Sequence, residues 1–373
     1  MGAAGRALGR MLGFAVRCVL VLALAEGLAS LVLFAATLGP SVQRPLAERA
    51  HTQYDPELGW VARPDVALVD LYGPGASLHT NAQGFRGTRD VPRAAPPGVV
   101  RIVCSGDSFA LGYGVGDDDA WCRQIERLAP GVETVNMGQG GYGIDQAYLW
   151  YRRDGLPLEH HVHLFTFIGE DFARMGATSF FGYGKPRLAL DGDRLRVENV
   201  PVPRASFWLP WFAQNAHLLE RLRVVQIGHR LLGARGGARA PAPVSDAELG
   251  GLAAAVFAEL AALHRAAGRQ LVLVHLPTRE ELRDPDSSAP LRGFVARRAQ
   301  ELGVPFLDGT AALAGRPGEE LDALFLAPGQ IDFPAAAGHY TVAGNRWAAE
   351  WMLAELRARG VLPQRPGAAE TQE

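Results

Sequence analysis

The pattern of apolar and polar positions divides the chain into an apolar N-terminal stretch, an irregular segment and a long alternation of strands and helices. The stretch from Val19 to Leu38 is almost continuously apolar, and about twenty such residues can span a bilayer as a helix. Residues from about 41 to 96 are rich in Pro, Gly and Asn and show weak helical periodicity, which predicts an irregular or β lead-in. From about residue 97, short apolar runs alternate with amphipathic ones.

This alternation predicts five strands connected by helices. The predicted strands are Val99–Cys104, Val132–Asn136, His163–Ile168, Gln270–Leu276 and Val304–Leu307. The predicted helices are Ala120–Leu128, Ile144–Arg153, Ala247–Ala267, Ala289–Leu302 and Val342–Arg359. Apolar strands that alternate with helices favour an α/β fold with a parallel sheet covered on both faces.

The predicted organisation is a membrane anchor at 1–40, the lead-in at 41–96, an α/β domain at 97–360 and a disordered tail at 361–373. An insertion at about 172–245 separates the third and fourth strands, and two alternating runs within 187–197 flank an Asp-Gly pair, which predicts a hairpin. Further along the insertion, an aromatic cluster is predicted to pack in a core, to contact a membrane surface or to stack on sugars. Its members are Phe207, Trp208, Trp211 and Phe212.

The charges around the apolar stretch predict its orientation. Arg6, Arg10 and Arg17 precede it, and no acidic residue occurs before Glu26. Because positive residues stay on the cytoplasmic side, we expect a single-pass anchor with the rest of the chain outside the cytoplasm, in the periplasm. A cleaved signal peptide is the alternative, although its apolar core would be shorter. Glu26 is expected either to be protonated in the lipid or to contact another helix.

Composition excludes several classes of protein. Hydrophobic residues make up 48% and charged residues 20% of the 373 residues, a balance that excludes wholesale disorder. The formal net charge is -2, so no excess of positive charge is present to bind a nucleic acid. With 3 cysteines the chain cannot form a disulfide scaffold or a four-cysteine zinc site. Cys104 and Cys122 are expected to form one disulfide or to remain two buried thiols.

Four motifs contain residue types that can take part in catalysis or binding. Three of them follow predicted strands, and the fourth precedes the last helix. The run from Gly106 to Gly112 contains Ser108 at a tight turn, and the run from Asn136 to Gly143 is rich in glycine. The third motif is Ile168 to Phe172, and the fourth, Gly338 to Asn345, contains His339. Because function collects at the carboxyl ends of parallel strands, Ser108 and His339 are candidates for a nucleophile and its general base. The alternative is that Asp107 or Ser108 only caps a helix.

Two other patterns predict different sites. Gly138, Gly140 and Gly143 match a dinucleotide-binding fingerprint, but that fingerprint belongs after the first strand of its fold, and here it follows the second. His161 and His163 share one strand face next to His160 and could bind a metal together. No carboxylate or cysteine completes that set nearby in sequence, so a structural role is favoured. We expect no metal and no cofactor.

In this order, the four motifs resemble those of the SGNH (GDSL) hydrolase family over roughly residues 97–360. That family has a flavodoxin-like three-layer α/β/α fold and includes esterases, lipases, thioesterases and carbohydrate deacetylases. The resemblance implies that Ser108 is the nucleophile, that His339 is the catalytic histidine and that the amides of Ser108 and Gly141 form an oxyanion hole. It also implies substrate-binding positions at Asp107 and Asp171. Two lead-in segments, Leu58–Trp60 and Asn81–Gly87, are similar to those of membrane-anchored bacterial members.

The chain departs from this family at two positions. Glu170 occupies the place of an asparagine that donates to the oxyanion, and an ionised carboxylate cannot donate a hydrogen bond. Ala336 occupies the place of the aspartate three residues before the histidine. Asp332 is the first candidate to replace that acid and Asp308 the second. A Ser–His dyad oriented by a backbone carbonyl is the third possibility.

The expected function is therefore that of a serine esterase or O-deacylase that acts on an ester-bearing substrate, such as an acylated glycan or lipid of the cell envelope. The alternative is a catalytically impaired domain of the same fold that binds a glycan or an assembly partner. Glu170 and Ala336 keep this alternative open.

Overall fold

A computed structural model of the chain describes residues 3–37, 50–180, 183–192, 194–203 and 245–362, together with four isolated positions between 224 and 231. The chain forms two compact units: residues 1–44 with 203–242, and residues 45–202 with 243–373. The predicted aromatic cluster at 207–212 and the predicted tail beyond 362 lie outside the described residues.

The first unit includes the long helix α1 (Ala3–Thr37). Its segment Gly9–Val32 is long and apolar enough to cross a membrane, and most of its large apolar side chains are exposed. Glu26 accepts a hydrogen bond from the backbone N–H of Val224 at 3.0 Å, so the carboxylate contacts another segment of the same unit.

The strands and helices of the second unit follow the predicted alternation, with short additional elements at the loops. The strands are β1 (Thr52–Asp55), β2 (Gly59–Ala62), β3 (Ala67–Leu68), β4 (Leu78–His79), β5 (Val100–Gly106), β6 (Val132–Gly138), β7 (Val162–Phe167), β8 (Ser179–Phe180), β9 (Tyr183–Gly184), β10 (Arg187–Asp191), β11 (Arg194–Glu198), β12 (Gln270–His275) and β13 (Phe306–Asp308). The helices are α2 (Ser108–Leu111), α3 (Trp121–Leu128), α4 (Ile144–Trp150), α5 (Glu170–Met175), α6 (Asp246–Ala266), α7 (Arg279–Arg283), α8 (Pro285–Leu302), α9 (Gly309–Ala312), α10 (Gly318–Asp322) and α11 (Val342–Ala358).

The central sheet has five parallel strands in the order β13-β12-β7-β5-β6. Numbered along the chain, this is the 2-1-3-4-5 order of a flavodoxin-like sheet read from its other edge. The prediction of a flavodoxin-like parallel α/β fold is therefore confirmed. Strand bounds differ from the predicted ones by one or two residues, and β5 continues to Gly106, two residues before Ser108.

Alternation along the strands builds the three layers. Val103, Phe165 and Leu273 face one side of the sheet, where they pack in a core with residues of α4, α6 and α8. Their neighbours Ile102 and Cys104 face the other side and pack in a core with residues of α3 and α11. Because successive strand residues point to opposite faces, the continuously apolar strands require helices on both sides.

Residues 50–96 of the lead-in belong to the same compact unit as the sheet. It forms two antiparallel pairs, β1 with β2 and β3 with β4. Trp60 and Phe85 from this segment are buried in the core that contains α4.

Two further predictions, the hairpin and the state of the cysteines, can be compared directly with the structure. The hairpin is confirmed, since β10 and β11 pair antiparallel from Arg187 opposite Glu198 to Asp191 opposite Arg194. Cys104 and Cys122 are buried free thiols rather than a disulfide.

Candidate active site

The turn between β5 and α2 places Ser108 at the carboxyl end of the sheet. The Asp107 carboxylate accepts a hydrogen bond from the N–H of Phe109 at 2.8 Å and so caps α2. Ser108 is the first residue of the helix and is 8% exposed. The capping role of Asp107 and a functional role of Ser108 are therefore compatible, since the cap fixes the turn that positions the buried serine.

Ser108 and His339 meet although 231 positions separate them in the chain. The Oγ of Ser108 lies 2.7 Å from Nε2 of His339. The other ring nitrogen, Nδ1, lies 3.2 Å from the carbonyl oxygen of Ala336. Because a carbonyl can only accept, Nδ1 carries the proton and Nε2 is left as the acceptor for the serine hydroxyl. This is the tautomer that a general base requires.

The surroundings of His339 favour its neutral form. The ring contacts Phe109, with centroids 4.8 Å apart, and Tyr113, at 5.3 Å. Burial among these groups lowers the pKa of His339 to about 4, the Arg174 cation acts in the same direction, and the carbonyl of Ala336 opposes them. At neutral pH the imidazole is therefore unprotonated and can take a proton.

The glycine-rich loop after β6 packs directly on α2. A Cβ atom at Gly138 would lie 2.0 Å from the backbone N of Leu111, so only glycine fits there. This close approach explains the first glycine of the dinucleotide-like pattern by packing. Gly141 has a positive φ of 80°, which also favours glycine. Among the described residues, the N–H groups of Ser108 and Gly141 donate no hydrogen bond.

Arg174 gathers the acidic residues of the site. Its Nη1 donates to Asp171 Oδ1 at 2.6 Å, to the carbonyl of Tyr142 at 3.0 Å and to Asp107 Oδ2 at 3.5 Å. Its Nη2 donates to Glu170 Oε2 at 3.1 Å. The sequence analysis missed this cation, although an arginine three and four residues after two acids on a helix is positioned to pair with both.

Asp107 and Asp171 are buried in this cluster, with exposures of 1% and 2%. Burial raises the pKa of both carboxyl groups while Arg174 opposes the rise, and the charge of Asp107 raises the pKa of Asp171 further. Asp171 also accepts from the N–H of Ile168 at 3.1 Å. Protein groups therefore occupy both of the carboxylates that were predicted to contact substrate.

The two unusual positions also have defined environments. The Glu170 side chain is 73% exposed and paired with Arg174 at the surface. Asp332 is exposed, and among the described residues it forms no hydrogen bond or ion pair with His339. Asp308 instead pairs with Arg292 at 2.9 Å and caps α9. The structure therefore does not bring Asp332, the predicted acid, to His339, and the carbonyl of Ala336 lies next to Nδ1 instead.

The histidines around the start of β7 have hydrogen-bond partners of their own. His161 accepts from the N–H of Arg101 at 3.1 Å, whereas His163 is buried and bonds Ser105 and His264. In the part of the chain that the structure describes, no group of three His, Cys, Asp or Glu residues is placed to hold a metal ion.

Comparisons with known proteins give distant structural likenesses. No protein-family model matches the sequence, and no curated protein matches it either. The chain is similar to a solved lipolytic protein of the G-D-S-L family from Veillonella parvula, with 12% identity, coverage of 70% of this chain and 100% of that one, and a TM-score of 0.39. It is also similar to a lipase/acylhydrolase from Enterococcus faecalis, with 15% identity, coverage of 70% and 97%, and a TM-score of 0.37. An acetylxylan esterase from Geobacillus stearothermophilus has 15% identity, coverage of 69% and 94%, and a TM-score of 0.39. In the order of its motifs and of its sheet strands, the chain resembles the SGNH (GDSL) hydrolases.

Proposed function

We propose that this protein is a serine esterase that hydrolyses acyl esters through a Ser108–His339 dyad. The observation that carries the proposal is that the Ser108 hydroxyl, which bonds Nε2 of a neutral histidine at 2.7 Å, lies at a site where, among the described residues, the N–H groups of Ser108 and Gly141 donate no hydrogen bond. The carbonyl of Ala336 takes the place of the usual orienting carboxylate because it holds the proton on Nδ1.

The reaction follows from the positions of these groups. His339 Nε2 takes the Ser108 proton while Oγ attacks the ester carbonyl carbon, and the carbonyl oxygen becomes an oxyanion. The C–O bond to the alcohol then breaks, and His339 returns the proton to the departing alcohol. A water molecule, deprotonated by His339, attacks the acyl-enzyme and releases the acid and the free serine.

The N–H groups of Ser108 and Gly141 are the proposed donors to the oxyanion. Both lack another acceptor among the described residues, so neither must give up a bond to bind the transition state. We leave Glu170 out of the oxyanion hole because it is exposed and paired with Arg174. Loss of one such donor costs about 10²–10³ in rate in other hydrolases, which is compatible with a slower but active enzyme.

The second candidate function is a binding domain with little catalysis. It is favoured by two observations: a carboxylate stands where a donor is expected at position 170, and Asp332 is not next to His339. Such a domain would bind an acylated glycan or an assembly partner at this site without hydrolysing it.

Hydrolysis of p-nitrophenyl acetate by the full-length chain in detergent distinguishes the two candidates. We expect turnover that the Ser108→Ala variant lacks, and a covalent adduct on Ser108 with a fluorophosphonate probe. Equal rates in wild type and Ser108→Ala, with no adduct, would reject the esterase and leave the binding domain.

We further propose that the chain is organised as an anchor at 1–40, a lead-in at 41–96 and the hydrolase domain at 97–360, with the hydrolase domain on the periplasmic side. The long apolar helix and the arginines on its N-terminal side support this orientation. A domain anchored there would meet acyl esters of envelope glycans or lipids, which are the proposed natural substrates. Protease added to intact spheroplasts should digest a C-terminal epitope tag, and full protection of the tag would reject the orientation.

A further inference from the structure

The lead-in makes hydrogen bonds to both loops that carry the proposed chemistry. The segment from Asn81 to Gly87 reaches the helix that begins with Ser108, and the segment from Leu58 to Trp60 reaches the loop that contains Gly141. These are the two lead-in motifs of the sequence analysis, and the proposed reaction assigns them no role.

Arg86 holds the C-terminal end of the nucleophile helix α2. Its Nη1 donates to the carbonyls of Leu111 at 2.5 Å and Gly112 at 2.7 Å, and its Nη2 donates to the carbonyl of Val115 at 2.6 Å. Its Nε donates to Asp117 at 3.0 Å, and the side chain is only 2% exposed. A four-residue helix has no neighbouring turn to satisfy its last carbonyls, so this guanidinium supplies the donors that α2 itself cannot.

The backbone of Arg86 is fixed as well. Its N–H donates to the carbonyl of Asn136 on β6 at 3.0 Å, while the Asn136 side chain donates to the carbonyl of Ala110 at 3.1 Å. Gly112 leaves room for the guanidinium, since a Cβ atom there would lie 2.9 Å from Arg86 Nη1. The arginine is therefore locked between β6 and the end of α2.

Trp60 holds the oxyanion loop in the same manner. Its Nε1–H donates to the carbonyl of Gly140 at 2.9 Å, and its own carbonyl accepts from the hydroxyl of Tyr142 at 2.6 Å. Gly140 and Tyr142 are the two neighbours of Gly141. One buried tryptophan thus restrains the chain on both sides of the amide that is proposed to bind the oxyanion.

We propose that residues 58–87 act as a positioning clamp, in which Arg86 sets the Ser108 helix and Trp60 sets the Gly141 loop at their reactive separation. The expected effect of this clamp on catalysis rests on the proposed esterase function. Neither residue touches the reacting atoms, so both are positioning residues. Because a displacement of about 1 Å costs as much as 10²-fold in rate, loosening either loop should lower kcat more than it changes KM.

Two conservative substitutions with matched controls test the clamp in the full-length protein. Arg86→Lys keeps the positive charge, but lysine lacks the planar guanidinium group that donates to the four acceptors of Arg86. Its control is Arg89→Lys, which alters a lead-in arginine that pairs with Glu126 on α3. Trp60→Phe removes one N–H donor, and its control is Trp150→Phe, which removes the buried donor to Asp154 from the same core.

With p-nitrophenyl acetate we expect kcat to fall about 100-fold in Arg86→Lys and about 10-fold in Trp60→Phe, with KM within about threefold of wild type. Both controls should retain wild-type kcat. Hydrogen–deuterium exchange should increase at 108–115 in Arg86→Lys and at 139–143 in Trp60→Phe, and stay unchanged elsewhere in the α/β domain.

The exchange measurement separates failure of the clamp from failure of the esterase. Local loosening in a protein without Ser108-dependent hydrolysis would support the clamp and reject the esterase. An active enzyme in which exchange at these two segments is unchanged, or rises equally throughout the domain, would overturn the clamp. Equal losses of kcat in each variant and its control would overturn it too.

Discussion

The second unit contains two hydrogen-bonded Ser–His pairs of similar geometry at different depths in the fold. Ser108 and His339 lie 2.7 Å apart at the carboxyl end of the sheet, and Ser105 and His163 lie 2.6 Å apart within it. In both pairs the serine hydroxyl meets Nε2. The distance between the two side chains therefore does not distinguish a reactive serine from a structural one.

The two pairs differ in what surrounds them. His163 is buried and stacks on Tyr151 with ring centroids 3.7 Å apart. Its Nδ1 lies 3.2 Å from Nε2 of His264. Ser105 lies inside β5, where neighbouring strands occupy its backbone. Ser108 instead begins a helix, and its N–H and that of Gly141 have no other acceptor among the described residues. Unpaired donors beside the hydroxyl, rather than the Ser–His bond, mark the candidate active site.

The largest expected effect comes from removing each hydroxyl in turn. Ser108→Ala should lower kcat with p-nitrophenyl acetate on the order of 10⁴-fold, because it removes the proposed nucleophile that forms the acyl intermediate. Ser105→Ala should leave kcat within about twofold and lower the free energy of unfolding by about 2 kcal/mol, since it leaves His163 without its donor. Steady-state kinetics and denaturation measure the two quantities, and a loss of activity in Ser105→Ala without a loss of stability would break the comparison.

The next effect is on the pH dependence of the reaction. A general base must be neutral to act, and burial lowers the pKa of His339 to about 4. The acid limb of kcat/KM should therefore lie near pH 4, so that about 90% of the maximal rate remains at pH 5. An ordinary histidine with a pKa near 6.5 would leave about 3% at that pH. A rate profile that falls below half its maximum above pH 6 would contradict this assignment.

A smaller effect concerns the stability contributed by the buried histidines. Burial lowers the pKa of His264 to about 4, while the unfolded chain binds a proton there near pH 6.5. The unfolded state therefore holds more protons between these values, and the wild type loses stability as the pH falls through that window. His264→Gln removes this loss, so its stability relative to wild type should improve by about 1 kcal/mol per pH unit from pH 6.5 to 4. Thermal unfolding of both proteins across this range tests the sign, and a constant difference would refute it.

The smallest effects are expected at the two positions that depart from the family pattern. Glu170→Asn and Asp332→Asn should each change kcat/KM by less than about threefold, because both side chains are exposed and exposed charges contribute little. The wild type and Ser108→Ala serve as the active and inactive reference proteins in the same assay. A gain of tenfold or more in Glu170→Asn would show that the native carboxylate restrains the oxyanion hole, and a comparable loss in Asp332→Asn would restore its role as the acid.

Features set by residues that are close together in the sequence were predictable, whereas contacts between distant residues were not. The strands of the sheet were predictable to within one or two residues because buried parallel strands need continuous apolar runs. Ser108 and the glycine-rich run from 136 to 143 were predictable as candidates because glycines next to a strand end mark backbone that must turn sharply or approach another group, whereas Gly141 itself was selected through the resemblance to the hydrolase family. Asp332 was chosen for its distance in sequence from His339, and that distance says nothing about which way the side chain points. Arg174 was overlooked although its helical spacing to Asp171 was visible.

The sequence by itself determined the parallel α/β fold, the apolar N-terminal helix and the positions of the candidate nucleophile and base, because these follow from local periodicity and from glycine, serine and histidine at strand and helix ends. The tertiary structure decided which serine lies beside free amides, which acceptor holds His339 Nδ1, and that Arg86 and Trp60 donate hydrogen bonds to the two loops of the candidate active site. These contacts join residues from 3 to 231 positions apart, and their partners depend on the packing of whole elements rather than on the residues next to them in the chain.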